Sequence, residues 1–150
     1  MSFSTDASSF EISLDPRRID IDAVHAFLRT SYWAQAIPRE IVAKSVANSL
    51  CVGAFSGGTQ IGFARLVTDC ATFGYLADVY VLSEHRGQGI AKRMLTTLMA
   101  HPDVQGLRRL MLVTRDAQRL YAECGFTALA APDRHMEKTD PETYRRAVKS

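Results

Sequence analysis

Apolar and polar positions along the chain change period several times, and each change marks an element. "FEISL" (10–14) alternates, the pattern of a short strand with one face buried. After Asp15-Pro16, residues Ile21, Val24, Phe27 and Leu28 recur at helical spacing and predict a helix near residues 20–30. Pro38 pre-sets a first helical turn, and Ile41, Val42 and Val46 carry a second helix to about Asn48. "LCVGAFSGGTQIGFARLV" places two apolar runs around Ser56-Gly57-Gly58-Thr59, a hairpin by its turn chemistry. "FGYLADVYVL" (73–82), rich in β-branched and aromatic residues, predicts a long third strand. A helix over 89–100 gathers Ile90, Met94, Leu95 and Leu98 on one face. "LRRLMLVT" (107–114) reads as a buried strand, "DAQRLYAECGF" as a short helix stopped by Gly125, and residues 134–138 as a last strand. The order β-αα-βββ-α-β-α-β describes one mixed α/β domain over residues 1–150. Its core spans about 10–138, and a Pro- and charge-rich peripheral tail occupies 139–150.

The 150 residues, 47% hydrophobic and 23% charged, suit a globular domain with a core of its own. No apolar run approaches the roughly 18 residues of a membrane span. "MSFSTDASSFEISLDP" lacks the basic and apolar regions of a secretory signal, so a cytoplasmic location without a membrane partner is expected. Cys51, Cys70 and Cys124 are scattered, with no CxxC and no nearby His pair, which argues against a disulfide framework or a metal site. The net charge of +2 is uninformative, but its distribution is not. Between Arg86 and Arg119 seven basic residues face two acidic ones, a local +5, so the rest of the chain sums to −3. That contrast suits one compact polyanion. No basic stripe interleaved with aromatics appears, and no nucleic-acid partner is expected.

"HRGQGIAKRM" (85–94) puts two glycines and this positive charge where a predicted strand becomes a predicted helix. A helix N-terminus leaves backbone N–H groups unpaired and carries partial positive charge, and glycines let several N–H groups converge on a phosphate. The turn has no Gly-Lys-Ser/Thr ending and fails GxGxxG spacing, which removes the main support for nucleotide hydrolysis or dinucleotide binding.

The stretch "ADVYVLSEHRGQGIAKRML" resembles the acyl-CoA-binding motif of the GNAT superfamily of N-acetyltransferases, (Arg/Gln)-x-x-Gly-x-(Gly/Ala), through Arg86, Gly89 and Ala91. "AQRLYAECGF" is similar to that family's Ala-x-x-Leu-Tyr-x-x-x-Gly-Phe, through Ala117, Leu120, Tyr121, Gly125 and Phe126. The resemblance covers about residues 10–138. It implies a GNAT-type α/β fold, a central mixed sheet of about six to seven strands with helices on both faces. It also implies acetyl-CoA as co-substrate, without a metal. Arg86 and the backbone of Gly87, Gln88, Gly89, Ile90, Ala91 and Lys92 would then hold the pyrophosphate. The backbone of Val79, Tyr80 and Val81 would pair with the pantetheine arm, and strands 73–82 and 107–114 would splay to admit the acyl group. Where many relatives have an Asn seven residues before the tyrosine, this chain has Thr114, whose hydroxyl has less bonding capacity.

Acetyl transfer to an amine needs the neutral amine, and at pH 7 an amine of pKa about 10.4 is neutral only about once in 2,500. Tyr121 matches the tyrosine that sits beside the CoA sulfur in the family, where it would donate a proton to the leaving thiolate. Asp78 is the only acid in "FGYLADVYVL". It serves either as base facing the cleft or as an ion-pair partner of Arg65 on the adjacent strand. On the acceptor side, Tyr32, Trp33 and Tyr75 are candidate contacts for a small cationic amine, which is favoured, while a peptide N-terminus or lysine would suit them too. Cys124, without a paired histidine, argues for direct transfer in a ternary complex. The rival readings are an acyl-CoA-binding regulatory module without turnover and a transferase for a longer acyl-CoA. A homodimer through the last strands is compatible with the layout, although no residue singles it out.

Overall fold

The computed structural model describes residues 9–149 as a five-stranded sheet with helices on both faces. The strands are β1 (Glu11–Ser13), β2 (Leu50–Ser56), β3 (Thr59–Thr68), β4 (Phe73–Val81) and β5 (Arg109–Met111), in spatial order β1-β2-β3-β4-β5. Neighbours are antiparallel except β4 and β5, which run parallel. The helices are α1 (Ile21–Leu28), α2 (Arg39–Ala47), α3 (Ile90–Met99), α4 (Gln118–Glu123) and α5 (Thr143–Lys149).

Local chemistry sets these boundaries. Asp20 caps α1 by accepting from the Ala23 N–H at 3.1 Å, and Pro38, extended at φ −70°, is the N-cap of α2 rather than its first helical residue. Gly57 (φ 57°) and Gly58 (φ 86°) give the β2–β3 hairpin the positive dihedrals that match strand twist. Alternation along β2 and β3 then feeds two cores. Val52, Ala54, Ala64 and Leu66 pack against Met94, Leu95 and Leu98 of α3 on one face. Cys51, Phe63 and Tyr80 pack against Val24, Leu28 and Val42 of α1 and α2 on the other. Each buried Val, Leu, Phe or Met side chain among these stabilises the fold by about 1.5–3 kcal/mol.

Two expectations about the sheet are corrected. It has five strands among the described residues, fewer than six or seven. The strand expected over 107–114 keeps only Arg109–Met111. The one expected over 134–138 is absent: Pro132–Arg134 forms a single 3-10 turn and the following residues take no regular structure. "RHMEK" has one apolar residue to offer a sheet, and that residue, Met136, is 98% exposed. A strand there would bury too little to offset the cost of ordering it.

Candidate active site

The site begins with an irregularity in β4. Its register with β3 runs Leu66↔Leu76 and Arg65↔Ala77, then jumps to Phe63↔Tyr80, so Asp78 and Val79 together oppose Ala64. This is a β-bulge, and Asp78 occupies it in the left-handed region at φ 56°. Aspartate tolerates that backbone better than most residues, and such strain collects at functional sites.

Beyond the bulge, β4 loses its second neighbour. β5 pairs with it only from Phe73↔Arg109 to Tyr75↔Met111, after which the two strands separate. The Leu82 N–H bonds the Ile61 carbonyl at 2.8 Å, so Leu82 and Tyr80 turn their backbone groups toward β3. By alternation the Val81 N–H points into the gap. The Val81 carbonyl accepts from Arg86 Nε at 2.9 Å, which ties the glycine-rich turn to the strand. Tyr80 contributes to the cleft wall, but its ring is buried in the second core, stacked 3.9 Å from Phe27.

In the turn, Gly87 and Gly89 have φ of 83° and 76°, and a Cβ on either would meet nothing within 4 Å. Glycine is required there by the dihedral angle, not by crowding, and the space in front is open. Gly89 is the N-cap of α3 and supplies no side-chain cap, which leaves the first N–H groups of the helix available. Ile90 is buried and anchors the helix, Ala91 packs against the core, Gln88 is exposed, and Lys92 lies 3.6 Å from Glu123.

Two cavities open from this arrangement and share a wall. One, of about 730 Å³, runs from the glycine-rich turn along Val79–Val81 to Tyr121. The other, of about 490 Å³, is lined by Tyr75, Asp78, Thr114 and Tyr144. Tyr32, Trp33, Val79, Arg115 and Tyr121 border both, so together they form one cleft with Tyr121 at the join. A larger cavity, about 920 Å³, lies on the far side of β5 and contains none of these groups.

Tyr121 is buried on α4, edge-on to Phe126 with ring centroids 6.1 Å apart. Burial pushes its phenol from the ordinary 10 up to about 12, so it is a neutral O–H donor throughout the physiological range. Its hydroxyl has no hydrogen-bond partner among the described residues. Thr114 accepts from the Ala117 N–H at 3.1 Å, turning the chain into α4 and leaving its own O–H free to donate.

Asp78 is held at both oxygens. Arg65 Nε donates to Oδ2 at 2.6 Å and the Trp33 indole N–H to Oδ1 at 2.8 Å. The Arg65 and Asp78 side chains are only 18% and 8% exposed, and Arg65 also donates to Ser49 Oγ at 3.1 Å. Pairing with Arg65 and placement on the cleft, which the sequence left as alternatives, therefore coexist. At the mouth, Tyr32, Trp33 and Tyr75 are 53%, 42% and 36% exposed. Tyr32 meets Trp33 edge-on, and the Arg115 guanidinium lies 3.8 Å from the Tyr32 ring centroid. The tail expected to be peripheral reaches this mouth. Arg145 of α5 donates to Gln35 at 3.0 Å, and Tyr144 lines the smaller half of the cleft. Sequence reasoning missed Tyr144, because no periodicity or motif marks it.

None of the three cysteines lines either half of the cleft, and all are free thiols. Among the described residues no group of three His, Cys, Asp or Glu side chains is placed to hold a metal, and no helix is long and apolar enough to cross a membrane.

Comparison with known proteins gives a consistent result. Residues 16–126 match the model of the acetyltransferase (GNAT) family. FG08082 of Gibberella zeae, classed with the acetyltransferases, is 34% identical over 135 residues, covering 75% of each chain. A crystal structure of a GNAT-family protein from Xanthomonas campestris pv. campestris is 45% identical, with a TM-score of 0.87 over 91% of this chain and 96% of that one. An acetyltransferase from Clostridium acetobutylicum, solved with acetyl-CoA, shares the fold at 17% identity, with a TM-score of 0.64 over 87% of this chain and 95% of that one.

Proposed function

The chain belongs to the acetyltransferase (GNAT) family, and from that premise we propose that it transfers an acetyl group from acetyl-CoA directly to the primary amine of a small molecule. The observation that carries this reading is the continuity of the cleft. A half bordered by helix N–H groups and a strand edge meets a half bordered by a carboxylate, with a neutral phenol between them.

The residues present fit acetyl-CoA. Open space before Gly87 and Gly89, the uncapped start of α3 and the Val81 N–H offer donors to a diphosphate and an amide-bearing arm. When bound, acetyl-CoA supplies an activated acetyl group and a thiol leaving group. Asp78 draws the ammonium of the acceptor and takes its proton, directly or through a water. An ionised carboxylate has about four lone-pair positions, of which Arg65 and Trp33 occupy two. Tyr121 donates its O–H toward the departing sulfur, and Thr114 has a donor to spare for the arm. No cysteine is among the residues lining the cleft, which favours direct transfer over an acyl-enzyme. The unpaired thiols suit a reducing compartment, the cytoplasm.

The test is calorimetric titration with acetyl-CoA beside a thiol-release assay, on wild type, Gly89→Ala and Gly58→Ala. Both glycines have positive φ with open space at Cβ, so both variants lose about 1 kcal/mol of stability. Only Gly89→Ala weakens acetyl-CoA binding, by severalfold. Equal binding by both variants, or no binding by wild type, rejects the assignment of the turn.

A further inference from the structure

We infer that the acceptor is a monoamine with an aromatic or alkyl body, rather than a polyamine, an aminoglycoside or a phosphorylated sugar. The inference rests on the acetyltransferase reading above and adds the substrate class.

Charge comes first. The charged residues lining the acceptor half are Arg65, Asp78, Arg115 and Asp116, which sum to zero. They are also matched in pairs: Arg65 with Asp78 at 2.6 Å, and Arg115 with Asp116 at 3.7 Å. The acids just beyond Tyr32 and Trp33 are matched too, Glu142 with Arg145 at 2.7 Å and Asp140 with Arg146. One ammonium finds the open lone pairs of Asp78. A second or third cation on the same molecule finds in this half only Asp116, exposed beside Arg115, and meets the guanidinium above Tyr32. A phosphate meets a pocket of zero net charge in which Arg65 is committed to Asp78 and Ser49 and the Arg115 guanidinium lies over Tyr32.

The remaining wall is aromatic. Tyr32, Trp33 and Tyr75 keep a third to a half of their surface exposed around one opening, and Tyr144 closes it from α5. A cluster of part-exposed rings at a cavity mouth offers apolar contact. The indole N–H is already committed to Asp78, so Trp33 has only its apolar surface left to present.

Trp33 is the only tryptophan in the chain, so with the CoA half filled its emission reports on this wall. The experiment titrates 2-phenylethylamine, spermidine, kanamycin and a lysine-containing tetrapeptide onto protein saturated with CoA, then follows thiol release with acetyl-CoA. Expected are a saturable change in Trp33 emission with 2-phenylethylamine and a kcat/KM at least tenfold above the other three. Tyr144→Ala raises the KM for 2-phenylethylamine about five- to tenfold without changing the KM for acetyl-CoA, and Tyr144→Phe behaves as wild type. Tyr75→Ala, on a separate element, repeats the measurement should Tyr144→Ala fail to fold. Preferred turnover of spermidine, kanamycin or the peptide overturns the substrate class. So does acetyl-CoA binding with neither a Trp33 response nor turnover on 2-phenylethylamine, or an amine KM within twofold of wild type in the folded variants. Each of these leaves the acetyl-CoA assignment standing, whereas failure to bind acetyl-CoA removes that assignment itself.

Discussion

Replacing Tyr121 with Phe removes one hydroxyl from the join of the two half-clefts and keeps the ring that packs against Phe126. The size of the effect follows from burial, which holds the phenol at about 12. A thiol ordinarily has a pKa of about 8.5, so handing the proton over completely would be uphill by about 5 kcal/mol. Sharing it in a hydrogen bond needs no such transfer, and a hydrogen bond to a charged group contributes about 1.5–3 kcal/mol. Tyr121 is accordingly a donor to developing charge more than a source of the final proton. The expected consequence is a kcat lower by about 10- to 150-fold, with both KM values within twofold. The sign of the pH dependence is fixed too. The neutral phenol is the active form and persists below about pH 12, so wild type shows no alkaline decline from this group up to pH 10, where an ordinary phenol is half ionised. Thiol release at saturating substrates from pH 6 to 10, on wild type and Tyr121→Phe, measures both. A kcat within threefold of wild type refutes the contact with developing charge. An alkaline limb near pH 9–10 that Tyr121→Phe abolishes refutes the burial argument.

Asn tolerates the left-handed backbone of position 78, so Asp78→Asn spares the bulge; its NH2 replaces one of the two oxygens that accept from Arg65 and Trp33, so charge and one hydrogen bond go together. We expect a kcat at least tenfold lower and, in urea unfolding, a loss of about 1–3 kcal/mol, with Arg65→Met combined with Asp78→Asn less harmful than the sum of the two by about 0.5–3 kcal/mol. Strict additivity would mean that the pair does not couple. Alkali should destabilise the fold, because burial raises Cys51 from 9 to about 12 and Tyr80 and Tyr121 from 10 to about 12. Raised groups stabilise the protein fully below their unfolded values and lose that contribution as pH climbs through 9–12. Between pH 8 and 10 the loss is about 2 kcal/mol, more than half of it from Cys51. Cys51→Ala should remove that share, and an unchanged pH dependence in this variant would contradict it.

Much of the fold was legible because it depends on local signals. The apolar spacing of α1 and α3, the Ser-Gly-Gly-Thr hairpin and the stop at Gly125, where φ is 97°, are all decided within a few residues. The two motifs were legible for the same reason, and the fold brings Arg86, Gly89 and Tyr121 to one cleft although they lie far apart in sequence. What escaped depends on partners. Leu112 and Val113 have strand propensity, but β5 stops at Met111 because its neighbour turns away, and no local pattern encodes that separation. Tyr144 sits in a charged tail with no face to declare, and it acquires a role only through where α5 docks.

The bulge at Asp78 explains why the hidden parts belong together. Strict alternation through "LADVYV" would put Leu76, Asp78 and Tyr80 on one face. Instead Leu76 belongs to one core and Tyr80 to the other, while Val79 returns to the face of Leu76. One inserted residue makes that exchange. It also sets the Asp78 carboxylate beside Arg65 and Trp33, in the smaller half of the cleft. And it lies between the last residue paired with β5, Tyr75, and the Val81 N–H that faces the gap. The strain of a non-glycine residue at φ 56° is thus tied to both halves of the site. Asp78→Gly should relax the backbone, yet it forfeits the carboxylate and frees the dihedral that holds the bulge. Asp78→Asn keeps the bulge and forfeits the charge and one of the two accepted hydrogen bonds. The difference between the two in acetyl-CoA affinity would measure what the bulge contributes to the strand edge, separately from what the carboxylate contributes to the acceptor.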